Sequence, residues 1–120
     1  MPTLAIRGAT TAPENTAHAV LAATRTLLTE IVRANSLCPD ELVMVYFTVT
    51  PDLTAAFPSR AARELGWTRV ALLDAQAPAI QGDLERCIRV LILLNREAAK
   101  NSIHPIYLEA ARALRPDLIE

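Results

Sequence analysis

Arg89 is the side chain whose chemistry most needs an explanation. It lies inside the most apolar run of the chain, residues 87–94, and a run of this kind is typical of a β-strand that is buried on both faces. An unpaired charge in such a place costs a large amount of free energy. Arg89 therefore needs a partner, which is either a carboxylate of the protein or an anion from outside.

Three other arginines could join Arg89 in an anion-binding site. Arg7 also lies within a predicted strand, and Gly8 after it allows another backbone to approach closely. Arg60 and Arg63 are three residues apart, so they share a face of a predicted helix. Eleven of the twelve cationic residues are arginine. A surface preference for arginine explains that count, but so does binding of carboxylates through two parallel hydrogen bonds.

Tyr107, at the start of the last predicted helix, could add a phenolic hydrogen bond to such a site. Each of these residues also has a purely structural interpretation. The two strand arginines could pair with Asp74 or Glu109, the helix arginines could be solvent-exposed, and Tyr107 could lie at the edge of the core. The residues alone leave both interpretations open.

Several kinds of catalytic chemistry lack their sequence signatures. Three glycines cannot build a phosphate-binding loop or a dinucleotide motif. His18 and His104 have no cysteine or carboxylate at the spacing of metal ligands, and no serine or cysteine stands in a nucleophile motif. An enzyme of this sequence is expected to work without a metal, a cofactor or a covalent intermediate, by positioning and electrostatics.

The composition predicts one compact domain over residues 1–120, since 52% of the residues are apolar. A net charge of −1 argues against nucleic acid as a partner. The apolar runs are shorter than the roughly 20 residues of a membrane span, and no signal peptide is visible. Cys38 and Cys87 are isolated thiols, which favours a cytoplasmic location.

The apolar periodicity and the helix signals predict four strands and three helices in the order β-α-β-α-β-β-α. Strands are expected at residues 3–10, 42–49, 70–73 and 86–94, and helices from Asn15 or Thr16 to Asn35, from Pro58 to Leu65 and over residues 106–114. The long first connection indicates a right-handed crossover between two parallel strands. The expected fold class is α+β, with a mixed sheet of four or five strands.

Six short blocks occur in a fixed order along almost the whole chain. They are Ile6-Arg7-Gly8-Ala9-Thr10-Thr11, Thr50-Pro51-Asp52-Leu53, Ala56-Phe57-Pro58, Ala62-Arg63-Glu64-Leu65, Cys87-Ile88-Arg89-Val90, and Tyr107-Leu108-Glu109 with Leu114-Arg115-Pro116-Asp117-Leu118. In order and spacing, the sequence resembles the monofunctional chorismate mutases of the AroH class, the Bacillus type.

This resemblance implies a homotrimer in which three mixed sheets, each with its helices on one face, surround a common axis as a trimeric pseudo-α/β-barrel. It implies active sites in clefts between neighbouring protomers, with chorismate as substrate and prephenate as product. It implies no cofactor, metal, nucleic acid or membrane partner, and a cytoplasmic enzyme of phenylalanine and tyrosine biosynthesis. The rearrangement is pericyclic and unimolecular, so the protein need supply neither a proton nor a nucleophile.

The resemblance also assigns roles to individual residues. Arg89 would stabilise negative charge on the breaking ether oxygen and contact one carboxylate, while Arg7 would contact the other. Tyr107 would donate a hydrogen bond to the substrate. The remaining substrate-binding residues that it implies are the apolar walls Phe57, Leu114 and Leu72 or Leu73, the rim arginine Arg63 of the adjacent protomer, and Arg115 in the last block. Arg60 stands where relatives have lysine or another residue, and it could steer the dianion.

The main departure from the family concerns the acid that faces the key arginine. The family carries a glutamate in the loop after the third strand, where this sequence has Ala77. Asp74, three residues earlier, is our hypothesis for the missing catalytic carboxylate, although it could instead end the strand in a turn. A smaller departure is His104-Pro105, where the family has an Arg-His pair before the tyrosine.

Two other functions also fit the sequence. A trimeric protein could bind a small dicarboxylate without catalysis, and the alanine at position 77 favours this alternative. A structural oligomerisation module, in which the arginines pair with acids of the protein, is the third possibility.

Overall fold

The computed structural model describes residues 2–118, which form a five-stranded mixed sheet with α-helices packed on one face. The strands are β1 (Thr3–Thr11), β2 (Leu42–Val49), β3 (Ala71–Gln76), β4 (Cys87–Asn95) and β5 (Ile106–Tyr107). The α-helices are α1 (Ala17–Asn35) and α2 (Ser59–Glu64), and short 3-10 helices cover Pro39–Glu41, Lys100–Ser102, Glu109–Ala113 and Pro116–Leu118. The predicted α+β class is confirmed.

The strands follow the spatial order β3-β2-β4-β1-β5. β4 runs antiparallel to both of its neighbours, β1 and β2, while β3 and β5 add to the two edges in parallel. The prediction that the first two strands form a parallel pair is therefore wrong. They run in the same direction, but β4 lies between them and supplies their hydrogen bonds.

α1 supplies most of the apolar cover of the sheet. It begins at Thr16, whose hydroxyl accepts a hydrogen bond from the backbone N of Ala19 at 3.1 Å. It ends at Ser36, which adopts a left-handed conformation with φ of 50°. Neither α1 nor any other described helix is long and apolar enough to cross a membrane. The face of α1 that is fully buried carries Val20, Leu27, Leu28 and Ile31.

The opposite face of the sheet has no α-helix on it. Along β4, Ile88 and Val90 are buried under the helices, whereas Arg89 and Leu91 point to the other side and are only partly buried. The side chain of Arg89 is 32% exposed to solvent. The prediction that this strand is buried on both faces is therefore wrong for the protomer, because both α-helices pack on the side of Val90.

The segment 106–114 was expected to be a helix, and this prediction is also wrong. Residues 106–107 pair with β1 as a short parallel strand, with Tyr107 opposite Ala9. The backbone N of Leu108 then donates to the carbonyl of Ala9 at 2.9 Å. Glu109, with φ of 53°, breaks the chain direction before a 3-10 helix. The free edge of β1 thus captures a segment whose local pattern favours a helix.

Candidate active site

A cavity of about 390 Å³ opens on the helix-free face of the sheet, beside β1, β4 and β5. This volume is in the range of small-molecule binding sites. The cavity brings together five residues that the sequence marked for substrate binding, namely Arg7, Arg89, Tyr107, Leu114 and Arg115. Sequence reasoning did not anticipate the strand residues that complete its floor, which include Ala9, Tyr46, Thr48 and Leu91.

The register of the strands explains why these side chains converge. Residues that lie directly opposite each other on paired strands point to the same face of a sheet. Ala9 lies opposite both Arg89 and Tyr107, so these two side chains flank it on one face. Arg7 lies opposite Leu91, one pleat further along the same face. Two guanidinium groups and one phenol thus share a surface that is three strands wide.

Tyr107 is fixed by a small buried cluster below the cavity. The cluster consists of Ala9, Cys87, Tyr107 and Ala111, with Leu84 and Leu114 packed against it. Burial raises the pKa of the Cys87 thiol, so this cysteine is a neutral packing residue. The 3-10 helix that contributes Ala111 packs against β1, and Leu114 and Arg115, which follow it, line the cavity.

The carboxylate beside Arg89 belongs to Asp83, in the loop between β3 and β4. Nη2 of Arg89 donates to Oδ1 of Asp83 at 3.0 Å. The backbone N of Leu84 donates to the same oxygen at 2.8 Å. The hydrogen bond from Arg89 holds the pKa of the Asp83 carboxyl below its ordinary value. Asp83 is therefore an ionised partner of the key arginine, and no predicted role had been given to it.

Asp74 does not face Arg89 within the protomer, and that part of the sequence hypothesis is corrected. β3 continues past Asp74 to Gln76, so the pleat fixes its side chain opposite Phe47, on the helix side of the sheet. Its two carboxylate oxygens accept hydrogen bonds from Ser59, one from the backbone N at 2.9 Å and one from the hydroxyl. Asp74 thereby holds the first turn of α2 against β3.

Arg7 and Arg115 differ from Arg89 in their partners. Within residues 2–118, no carboxylate forms a salt bridge with Arg7. Arg115 forms a two-point ion pair with Asp117, with N–O distances of 2.9 and 3.1 Å. The suggested pairing of the strand arginines with Glu109 is also not observed. The cavity thus keeps a cation, Arg7, that forms no salt bridge with any described acid.

The other predicted residues lie near β3 and α2 and do not line this cavity. Phe57 and Leu73 are strongly exposed for large apolar residues, at 68% and 58%. Arg63 donates to the hydroxyl of Ser59 at 3.3 Å, and Arg60 forms a 3.5 Å ion pair on the surface of α2. Of the two leucines considered as walls, Leu73 points away from the core, while Leu72 packs against it. Ala77 follows β3 and extends its hydrogen bonding with β2, because its backbone N donates to the carbonyl of Val49 at 2.8 Å.

The protomer therefore carries two separate groups of predicted site residues. We call the residues around the cavity, Arg7, Arg89, Tyr107, Leu114 and Arg115, the cationic half-site. We call Phe57, Arg60, Arg63 and Leu73 the edge half-site. β2 and β4 separate β3 from β1, a distance of about 14 Å at the usual strand spacing.

The helix-free face thus combines an arginine without a salt bridge, a second arginine paired with an acid, and an apolar wall, which are the groups that suit a small organic anion. The model of the family "Chorismate mutase type I" matches residues 3–118. The chain belongs to this family, and it is an isomerase of aromatic amino acid biosynthesis.

Relatives and solved structures agree with this family. The chain is 47% identical over 114 residues to chorismate mutase AroH of Thermus thermophilus. This alignment covers 94% of this chain and 93% of that relative. It is 40% identical over 114 residues to chorismate mutase AroH of Bacillus subtilis strain 168. That alignment covers 94% of this chain and 90% of the relative. The solved chorismate mutase from Clostridium thermocellum superposes with a TM-score of 0.89 at 45% identity, covering 91% of this chain and 97% of that one.

Proposed function

We propose that this protein converts chorismate to prephenate at active sites formed between the neighbouring subunits of a homotrimer. The observation that carries this proposal is the division of the site residues into a cationic half-site on β1, β4, β5 and the segment that follows β5, and an edge half-site on or near β3 and α2. Neither half is a complete site for a dianion with an apolar ring. A second protomer that brings its edge half-site over the cavity completes it.

The cationic half-site suits the charge of the substrate. Chorismate carries two carboxylates, and its rearrangement moves negative charge onto the ether oxygen as the C–O bond breaks. Arg89, held by Asp83, is a fixed donor that can meet this oxygen. Because the charge on the oxygen is larger in the transition state than in the substrate, a fixed guanidinium there lowers the barrier.

The remaining cavity residues bind and orient. Arg7 has no described carboxylate partner and is available to a substrate carboxylate. Tyr107, fixed by the buried cluster beneath it, offers a phenolic hydrogen bond. Leu114 supplies an apolar wall, and Arg115 adds positive charge at the rim. Because the reaction is unimolecular, these contacts contribute by holding the reacting atoms of one flexible molecule in a reactive geometry.

The edge half-site fits the surface of a neighbouring subunit. Phe57 and Leu73 expose large apolar areas that subunit packing would remove from water. Arg60 and Arg63 on α2 would then lie at the rim of the neighbour's cavity, where they attract a dianion. An interface between two different edges closes into a ring when the rotation permits, and three protomers make such a ring.

Loss of chorismate absorbance on addition of the purified protein tests the activity. We expect Arg89→Ala to lower kcat by roughly 10²–10³, the scale for removal of one donor to a developing oxyanion. Arg33→Ala is the matched control, because Arg33 pairs with Glu30 on the exposed surface of α1 and touches no site residue. A variant at Arg89 that raises only KM and leaves kcat unchanged would contradict the assigned role.

The non-catalytic alternative rested on the missing glutamate at Ala77, and Asp83 weakens that reason because it supplies a carboxylate to Arg89. Thermal stabilisation by prephenate without any turnover would still favour it. The cytoplasm is the proposed location, and the two free thiols, Cys38 and Cys87, are consistent with a reducing compartment.

A further inference from the structure

The loop between β3 and β4 is built to hold one acid beside Arg89. Gly82 turns the chain with φ of 84°, and the backbone N of Asp83 donates to the carbonyl of Ile80 at 3.1 Å. Leu84, the next residue, packs against the buried cluster that also holds Tyr107. The loop is thus anchored on the same cluster as the floor of the cavity, on the helix-free side of the sheet.

The contacts of the Asp83 carboxylate leave one oxygen open. Both of its hydrogen bonds within the described residues, from Arg89 and from the backbone N of Leu84, go to Oδ1. Its side chain is 19% exposed. Oδ2 is therefore free to accept from a polar group of a ligand, while Oδ1 fixes the guanidinium. Ala77 has no side-chain atoms beyond Cβ and cannot provide either contact.

We propose that Asp83 is the positioning residue of the active site and takes over, from a different backbone position, the task that the family's glutamate performs at position 77. It holds Arg89 against free rotation and offers Oδ2 to a hydroxyl of the bound substrate. This inference rests on the proposed function. A fixed guanidinium matters because a long arginine side chain otherwise loses much rotamer entropy when it meets the transition state.

Asp83→Asn is the first test, because asparagine has the same size and can still accept from the Leu84 backbone N. We expect kcat to fall by roughly 10–100-fold, because the neutral amide holds the Arg89 guanidinium less firmly than a carboxylate and puts an NH2 group, which cannot accept a hydrogen bond, in place of Oδ2. A resulting displacement of about 1 Å near the chemistry costs up to about 10² in rate. KM for chorismate should not rise by as large a factor as kcat falls. The variant removes a negative charge that would repel a dianionic substrate. Glu41→Gln is the matched control, as Glu41 pairs with Arg96 at the far end of β4 with similar exposure. It should leave kcat unchanged.

The second test is a rescue. Asp83→Ala should lower kcat at least as much as Asp83→Asn, and adding Ala77→Glu should restore most of the loss by returning a carboxylate to the face of Arg89. In the wild-type background, Ala77→Glu should lower activity, because two carboxylates would then compete for one guanidinium. A loss at Asp83 that is merely structural would not be repaired by an acid at another backbone position.

The outcomes separate this inference from the proposed function. If the wild-type protein does not consume chorismate, the proposed function fails and the role of Asp83 fails with it. If the wild-type protein is active and Asp83→Asn keeps wild-type kcat, only the inference on Asp83 is overturned. If Asp83→Asn is also less stable, the rescue decides, and a double variant as inactive as Asp83→Ala would overturn the inference.

Discussion

At the scale of single residues, the hydrogen-bond partners of each arginine determine whether its donors remain available to a ligand. Arg89 and Arg96 lie on or just beyond the same strand, and each meets one carboxylate of the protein. Arg96 donates from Nε and Nη2 to both oxygens of Glu41 and also to backbone carbonyls. Its donors are consumed by the protein, whereas only Nη2 of Arg89 has a described protein acceptor. Arg96 is therefore structural, whereas Arg89 has donors left for a ligand.

The pair of Glu41 and Arg96 predicts a pH dependence of stability. The hydrogen bonds from Arg96 and from the Cys38 backbone lower the pKa of Glu41 to about 2. A carboxyl whose pKa is lowered by folding stabilises the native state above its unfolded pKa of about 4.3 and loses that contribution as the pH falls toward the folded value. Glu41→Gln should therefore reduce the free energy of unfolding at about pH 7, and the deficit should shrink below about pH 4. Urea unfolding at both pH values measures this, and a deficit that is independent of pH would contradict it.

At the scale of elements, the close contact of β1 with α1 and β5 positions Tyr107. A Cβ at Gly8 would lie 2.8 Å from Cδ1 of Ile31 and 3.0 Å from the carbonyl oxygen of Ile106. The second atom is backbone and cannot move without displacing β5. Gly8→Ala should therefore lower the stability of the protein by roughly 1–3 kcal/mol, the usual cost of overpacking, and should also raise KM by shifting Tyr107.

Thr16→Ala provides the comparison for Gly8→Ala. It removes the N-cap of α1 and should cost about 1 kcal/mol of stability, but α1 lies on the helix side of the sheet. Steady-state kinetics of both folded variants would distinguish the two effects. Equal KM values for Gly8→Ala and the wild type would contradict the role of this contact in placing Tyr107.

Most of the elements could be predicted because local signals and tertiary contacts agree. β2 was expected at residues 42–49, where it lies, and α1 and α2 begin and end within about two residues of their predicted caps. The failures occur where a tertiary contact overrides the local pattern. Residues 106–107 join the edge of β1 instead of starting a helix, and β3 extends to Gln76, whereas the strand was expected to end at residue 73.

The extension of β3 also explains the error about the acid of the site. A side chain in a turn can swing to either face of a sheet, but a strand residue is fixed by the pleat. Asp74 is therefore held on the helix side, opposite Phe47. The partner of Arg89 comes instead from a loop whose path no periodic pattern encodes. The sequence offered only the Gly82-Asp83 pair before β4 as a sign of a turn that carries an acid.

At the scale of the whole molecule, the two faces of the sheet differ in how far they are covered. Its helix-covered face holds the apolar core, while the opposite face keeps partly exposed leucines around charged residues. The helix-free face carries the cavity across β2, β4, β1 and β5, and the region of the β3 edge presents Phe57 and Leu73. The proposed trimer joins these two regions, so that the catalytic arginine of one subunit meets the rim arginines of the next.

Complementation between inactive subunits tests this central claim most directly. Arg89→Ala removes the cationic half-site and Arg63→Ala removes part of the edge half-site, so each variant alone should have low activity. When the two are co-expressed with different affinity tags and purified as mixed trimers, roughly a third of the sites would combine two intact halves, because each ring that contains both variants has one such site among its three. We predict that kcat per subunit in the mixture rises to roughly this fraction of the wild-type value. Activity no greater than the mean of the two variants measured alone would contradict active sites shared between subunits.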